Sequence, residues 1–107
     1  MLILPIKKKW FDMIVSGEKR EEYREIKPYY EKRFKKLGIL DDRGCGWFGD
    51  LLLRNGYSGD SPTIKVRVFC NVGPGRPEWG AEPGKNYYVL DILQVMKPLP
   101  PEEGEQE

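Results

Sequence analysis

The segment Ser16 to Glu25, SGEKREEYRE, concentrates the side chains of this chain best suited to chemistry. On a strand Glu22 and Arg24, two residues apart, project from one face while Tyr23 projects from the other. Lys19 follows the turn at Gly17 closely enough to lean toward the face of Glu22 and Arg24. A carboxylate, a guanidinium and an ammonium then converge where a helix hands over to a strand. Burying such a set costs energy unless the charges pair, so the same residues suit a structural ion pair or a polar site. As a site, Glu22 accepts hydrogen bonds from a base edge or acts as general base, and Arg24 holds a phosphate or carbonyl oxygen. Lys19 contacts phosphate, or activates a water if desolvation lowers its pKa.

The residue types that are missing narrow the chemistry further. The chain has no histidine, and its two cysteines, Cys45 and Cys70, lack CxxC spacing. A zinc site and Ser–His or Cys–His catalysis are therefore excluded, and neither a metal nor a cofactor is expected. Both cysteines are expected as free thiols, with Cys70 acting as a small hydrophobe in an apolar strand. The loop GPGRPEWGAEPG supplies a second set, Arg76, Glu78 and Trp79. A tryptophan beside an arginine is a platform on which a base can stack. The alternative is a tryptophan plugging one end of a barrel.

The elements that position these groups follow from periodicity. Leu2–Leu4 suits a first strand, and Pro5 opens a helix whose stripe is Ile6, Trp10, Met13 and Ile14. Gly17 ends that helix, and Lys19–Glu25 reads as a strand. A second helix begins at Pro28, with Tyr30, Phe34 and Leu37 on one face and Gly38 as its stop. Trp10 and Phe34 are expected in the core, while Trp47 and Phe48 lie in a loop without periodicity. Asp50–Arg54, Thr63–Val72 and Tyr87–Met96 read as strands, the middle one alternating Ile64, Val66, Val68 and Cys70 with Lys65 and Arg67. Helices early and strands late predict an α+β fold, a small partly closed barrel with two or three flanking helices.

At 107 residues the chain supports one domain, expected over residues 1–97. The remainder, 98–107, is expected as a disordered acidic tail by composition. Residues 1–40 carry eleven Lys and Arg against six Asp and Glu, while EEGEQE at the end supplies four acids. A basic body of this kind suits an anionic partner such as nucleic acid, although solvated helix faces produce the same pattern. No apolar stretch approaches the roughly 20 residues of a membrane span, and the first residues do not form a secretory signal. A cytoplasmic location is expected.

Gly17, Lys19, Glu22 and Arg24 match the signature G-x-K-x-x-E-x-R at every defined position, and the chain thereby resembles the ASCH domain family. The resemblance extends through LPIKKKWFDMIVSG and YYVLDIL, and RPEWGAEPGK is similar to a loop of phage- and bacterium-associated members. It implies a PUA-like β-barrel with a cleft beside the motif strand, binding RNA or a nucleotide. One bacterial branch of the family hydrolyses acetylated cytidine with a threonine at the position of Glu22. Glutamate stands there in this chain, so that mechanism does not carry over.

Three readings remain open. A binding module would hold single-stranded RNA, a nucleotide or a nucleoside, with Gly17, Tyr23, Arg76, Glu78 and Trp79 completing the site. A small hydrolase of a modified nucleoside or of RNA would use Lys19 and Glu22 for acid–base work and Arg24 for developing negative charge. A protein-binding adaptor would leave the cleft empty and expose an apolar patch elsewhere.

Overall fold

Five strands and two α-helices succeed one another along residues 1–96, the part of the chain that the computed structural model describes. The expected domain end at residue 97 and the acidic tail at 98–107 lie outside the described residues. The elements are β1 (Ile3–Ile6), α1 (Lys8–Ser16), β2 (Glu21–Arg24), α2 (Pro28–Leu37), β3 (Phe48–Asn55), β4 (Thr63–Pro74) and β5 (Asn86–Met96). A single 3-10 turn, Pro77–Trp79, interrupts the β4–β5 connection. The strands form one sheet in the order β1-β3-β4-β5-β2, with β1 parallel to β3 and every other pair antiparallel. The sheet curls into a half-barrel, so the α+β, barrel-like expectation holds.

Strict alternation builds the interior. Leu51 and Leu53 on β3, Ile64, Val66, Val68 and Cys70 on β4, and Leu90 and Ile92 on β5 are all buried. Phe11 and Ile14 cover them from α1, and Phe34 from α2, its ring meeting Tyr88 edge-on at 5.4 Å. A bulge between Arg67 and Val68 makes Leu93 the extra residue of β5 and changes the strand's facing beyond it. The end of α2 follows the expected pattern, with Gly38 at φ 90°. Ile39 donates its N–H to Phe34 O while Gly38 donates to Lys35 O, the two bonds of a Schellman stop.

The first helix departs from expectation. It starts at Lys8, because Pro5 belongs to β1, paired in register with Arg54. Proline is tolerated there since β1 is an edge strand with no ladder on its outer side. Ile6 is consequently buried as a strand residue, Phe11 replaces Met13 in the helix stripe, and Trp10 is only half-buried. Among strands, β2 is shorter than Lys19–Glu25, while β3 and β4 run longer than Asp50–Arg54 and Thr63–Val72.

Gly46 marks the tightest backbone approach. A Cβ there would stand 1.6 Å from the carbonyl oxygen of Cys70, whereas at Gly59 it would meet nothing within 4 Å. Gly46→Ala is therefore expected to destabilise the fold by about 4 kcal/mol or more, and Gly59→Ala by less than about 0.5. Urea unfolding of the two variants distinguishes the outcomes, and equal midpoints would rule out the close approach.

Candidate functional site

The site begins with a change of direction. Gly17 adopts φ 88°, a left-handed conformation that suits glycine, and its N–H donates to Ile14 O. Lys19 then donates its backbone N–H to Met13 O at 2.9 Å, folding residues 17–20 back on α1 before β2 starts. This return swings the Lys19 side chain inward, where it is 0 % exposed. Its Nζ lies 3.1 Å from Glu22 Oε1, donates to the backbone carbonyl of Glu21, and sits 4.8 Å over the Tyr23 ring.

Register in the sheet decides what β2 shows to each side. Glu22 and Arg24 pair with Leu90 and Tyr88, on the core side of β5, while Glu21 and Tyr23 pair with Asp91 and Val89. Glu22 is buried, and its Oε2 accepts from Arg24 Nη2 at 2.7 Å. The same Nη2 donates to Pro5 O at 3.0 Å, so the Arg24 guanidinium connects β2 to β1, the two edges of the curled sheet. Nη1 donates to the Tyr30 hydroxyl at 3.4 Å. Arg24 Nε–H is the one buried side-chain polar atom without an acceptor among the described residues.

Glu22 thus lies between the buried Lys19 ammonium and the partly buried Arg24 guanidinium. Burial pushes the Lys19 ammonium below the ordinary lysine value, opposed by the Glu22 charge. Burial also works against the charge on Arg24, but Glu22 and Tyr30 outweigh it and hold the guanidinium above its ordinary value. The Tyr23 phenol is pushed up, first by burial and then by its hydrogen bond to Glu21, so it remains a neutral donor.

A cleft of ≈ 580 Å³ opens beside this set, within the size range of a small-ligand site. Glu22, Tyr23 and Arg24 line it together with Trp10, Tyr30, Tyr57 and Tyr87, and Lys7 and Lys8 stand at its edge. Gly17 and Lys19 line a separate depression instead, and so do Arg76 and Trp79. Comparison with family models, with curated proteins and with solved structures finds no match.

The sequence-predicted residues therefore divide into two groups. Arg76 stacks its guanidinium over Trp79 at 4.9 Å and lies 3.6 Å from Glu78, but the three do not face the cleft. Tyr23 links the groups, donating to Glu21 Oε1 at 2.7 Å and accepting from the Arg76 N–H at 2.9 Å. Trp10, Tyr30 and Tyr57 were not among the expected site residues. Trp10 fitted a helical stripe that started too early, and the signal for Tyr57 was a tyrosine within the otherwise polar turn YSGDSP. Among the described residues no group of three or more His, Cys, Asp or Glu could hold a metal ion. No described helix is long and apolar enough to cross a membrane.

Two predictions follow from the charges on either side of β2. Glu22→Gln leaves the buried Lys19 and the partly buried Arg24 without a counter-charge and is expected to cost about 3–5 kcal/mol. Lys19→Met leaves Glu22 paired with Arg24 and is expected to cost markedly less in the same urea titration. The reverse order would remove Glu22 from the centre of the set. On the other side, the Asp91 carboxyl is pushed up, first by burial and then by the charge of its cross-strand partner Glu21. A carboxyl whose folded pKa exceeds its unfolded one stabilises the fold at acid pH, and that contribution is lost as pH rises through the folded value. Asp91→Asn is therefore expected to raise Tm at pH 7 and to leave it nearly unchanged below about pH 4. A Tm lowered at neutral pH would count against Glu21–Asp91 repulsion.

Proposed function

We propose that this chain is an ASCH-type domain on a PUA-like half-barrel, and that its cleft binds RNA or a nucleotide. The observation that carries the reading is a fixed carboxylate–guanidinium pair in the wall of a cleft that five aromatic residues and two lysines also line. Each component suits one part of a nucleotide. A carboxylate has about four lone-pair sites, so Glu22 retains capacity for a base N–H after bonding Lys19 and Arg24. Trp10 and Tyr57 present ring surface for stacking, and Lys7 and Lys8 offer charge for phosphate.

In this reading the four signature residues have different tasks. Gly17 makes the return turn, Lys19 holds the Glu22 carboxylate from behind, and Arg24 orients it from the side. Only Glu22 and Arg24 touch the ligand. Lys19 is then a positioning residue, since its enclosed ammonium does not line the cleft.

The lowered Lys19 pKa is what a hydrolase would need, and the burial of that same ammonium away from the cleft counts against direct acid–base work on a substrate. The adaptor reading draws on Phe48, 63 % exposed and packed against Phe69 at 4.8 Å.

An amide-shift NMR titration with cytidine, acetylated cytidine, uridine monophosphate and inorganic phosphate tests the reading. Shifts are expected at residues 7–10, 22–24, 30 and 57 with the monophosphate. In Lys7→Ala/Lys8→Ala they are expected to need roughly tenfold more ligand at low salt. Product accumulating in the acetylated-cytidine tube would make the cleft catalytic. An unresponsive cleft with every ligand would defeat the nucleotide reading.

A further inference from the structure

A depression of ≈ 390 Å³ lies where the start of β1 meets the last turns of α2, and none of its lining residues lines the cleft. Met1, Leu2, Arg33, Lys36 and Leu37 surround it, and its volume falls within the range of small-ligand sites. Leu2 is fixed there by the sheet, since its carbonyl accepts the Leu52 N–H at 2.9 Å. Arg33, Lys36 and Leu37 share one face of α2 because they stand three and four residues apart. The Leu2 and Leu37 side chains pack against the core yet stay partly exposed, so they form an apolar floor that this chain leaves open.

Two cations stand beside that floor without a counter-charge. Among the described residues neither Arg33 nor Lys36 has an acidic partner, whereas Lys35 pairs with Glu31 and Asp42. The Arg33 guanidinium is held in place, 3.5 Å over the Tyr29 ring and donating from Nη1 to Tyr29 O at 3.0 Å. That uses one of its five N–H donors and leaves the others for an acceptor. A lysine in the last turn also suits the helix dipole, but that role does not account for an apolar floor next to it.

We propose that this depression is a binding site for a small amphiphilic anion, an unbranched apolar chain ending in a carboxylate. The chain lies along Leu2 and Leu37 beneath Met1, whose flexible thioether adapts to what it covers. The carboxylate meets Arg33 and Lys36, the planar guanidinium matching it with parallel hydrogen bonds. A bare phosphate engages the cations and makes no use of the floor, and a neutral alcohol does the reverse. An anionic membrane suits this face less well, because Glu31 and Asp42 interrupt the basic run of α2. The site stands apart from the nucleotide reading of the cleft and does not depend on it.

The test is an amide-shift NMR titration of the whole chain with octanoate, butanoate, 1-octanol and inorganic phosphate at low salt. Octanoate is expected to move residues 2 and 33–37 and to leave 22–24 in place. Butanoate is expected to need at least about tenfold more ligand, since each methylene fully buried is worth about fourfold. Octanol is expected to bind roughly tenfold more weakly than octanoate, and Arg33→Gln/Lys36→Gln to lose roughly tenfold for octanoate. Lys32→Gln removes an exposed lysine outside the depression and is expected to bind octanoate as wild type does. Lys36→Gln alone, at an exposed position, is expected to lose part of the affinity with its ligand-free spectrum unchanged. Octanol or phosphate binding as well as octanoate, or an equal loss in Lys32→Gln, overturns the site, and so does a wild type that octanoate does not move. Co-sedimentation with phosphatidylglycerol vesicles in the absence of any octanoate response assigns the face to a membrane surface and overturns the proposal too.

Discussion

Enclosing the Lys19 ammonium and most of the Arg24 guanidinium depends on Glu22 standing between them, and much of the geometry around β2 follows from that requirement. The strand is four residues long and has a ladder on one side only, so its backbone pairing alone is a weak anchor. The Glu22 carboxylate takes one cation on each oxygen, and Arg24 carries the connection on to Pro5 O at the opposite edge of the sheet. Charge pairing here substitutes for the missing ladder between β1 and β2. A half-barrel held at its seam by one guanidinium keeps an opening there, and the cleft lies along it. The side chains that stabilise the seam, Glu22 and Arg24, also line the cleft.

The two sides of β2 handle charge in opposite ways. On the core side every charge of the signature has an opposite partner. On the other side Glu21 and Asp91 stand across from one another with like charge, relieved by the Tyr23 hydroxyl and by Asn71, which donates to Asp91. Tyr23 then passes the connection to Arg76 and anchors the loop that carries Trp79. That loop packs closely, since a Cβ on Gly75 would fall within 2.7 Å of the Tyr23 ring and of Ala81. Its arginine and tryptophan are occupied with each other rather than with the cleft.

Much of this was legible in the sequence, and the failures share a cause. Alternation placed Ile64, Val66, Val68 and Cys70 inward, and the positive-φ glycines at 17 and 38 ended both helices. The shared face of Glu22 and Arg24 followed from strand geometry alone. What local pattern could not convey was which distant backbone each residue would meet. Pro5 reads as a helix opener until β3 appears beside it, and with the helix starting at Lys8, Trp10 packs against the core while also lining the cleft. For the same reason Tyr57 lines the cleft while Trp79 lines a separate depression. A turn tyrosine has no periodicity, and only the approach of β1 and α2 makes it part of a groove.

The partner of β2 lies far downstream, Glu22 opposite Leu90 and Arg24 opposite Tyr88. During synthesis the signature segment leaves the ribosome early and waits for β5 before any of its charges can be buried. Until then Lys19, Glu22 and Arg24 remain hydrated, and no cleft exists for a ligand to enter. Contacts of such long sequence separation form slowly, because loop closure must precede their stabilising effect. A nascent chain of this protein therefore closes the cleft beside β2 only once β5, the strand that pairs with it, has been made.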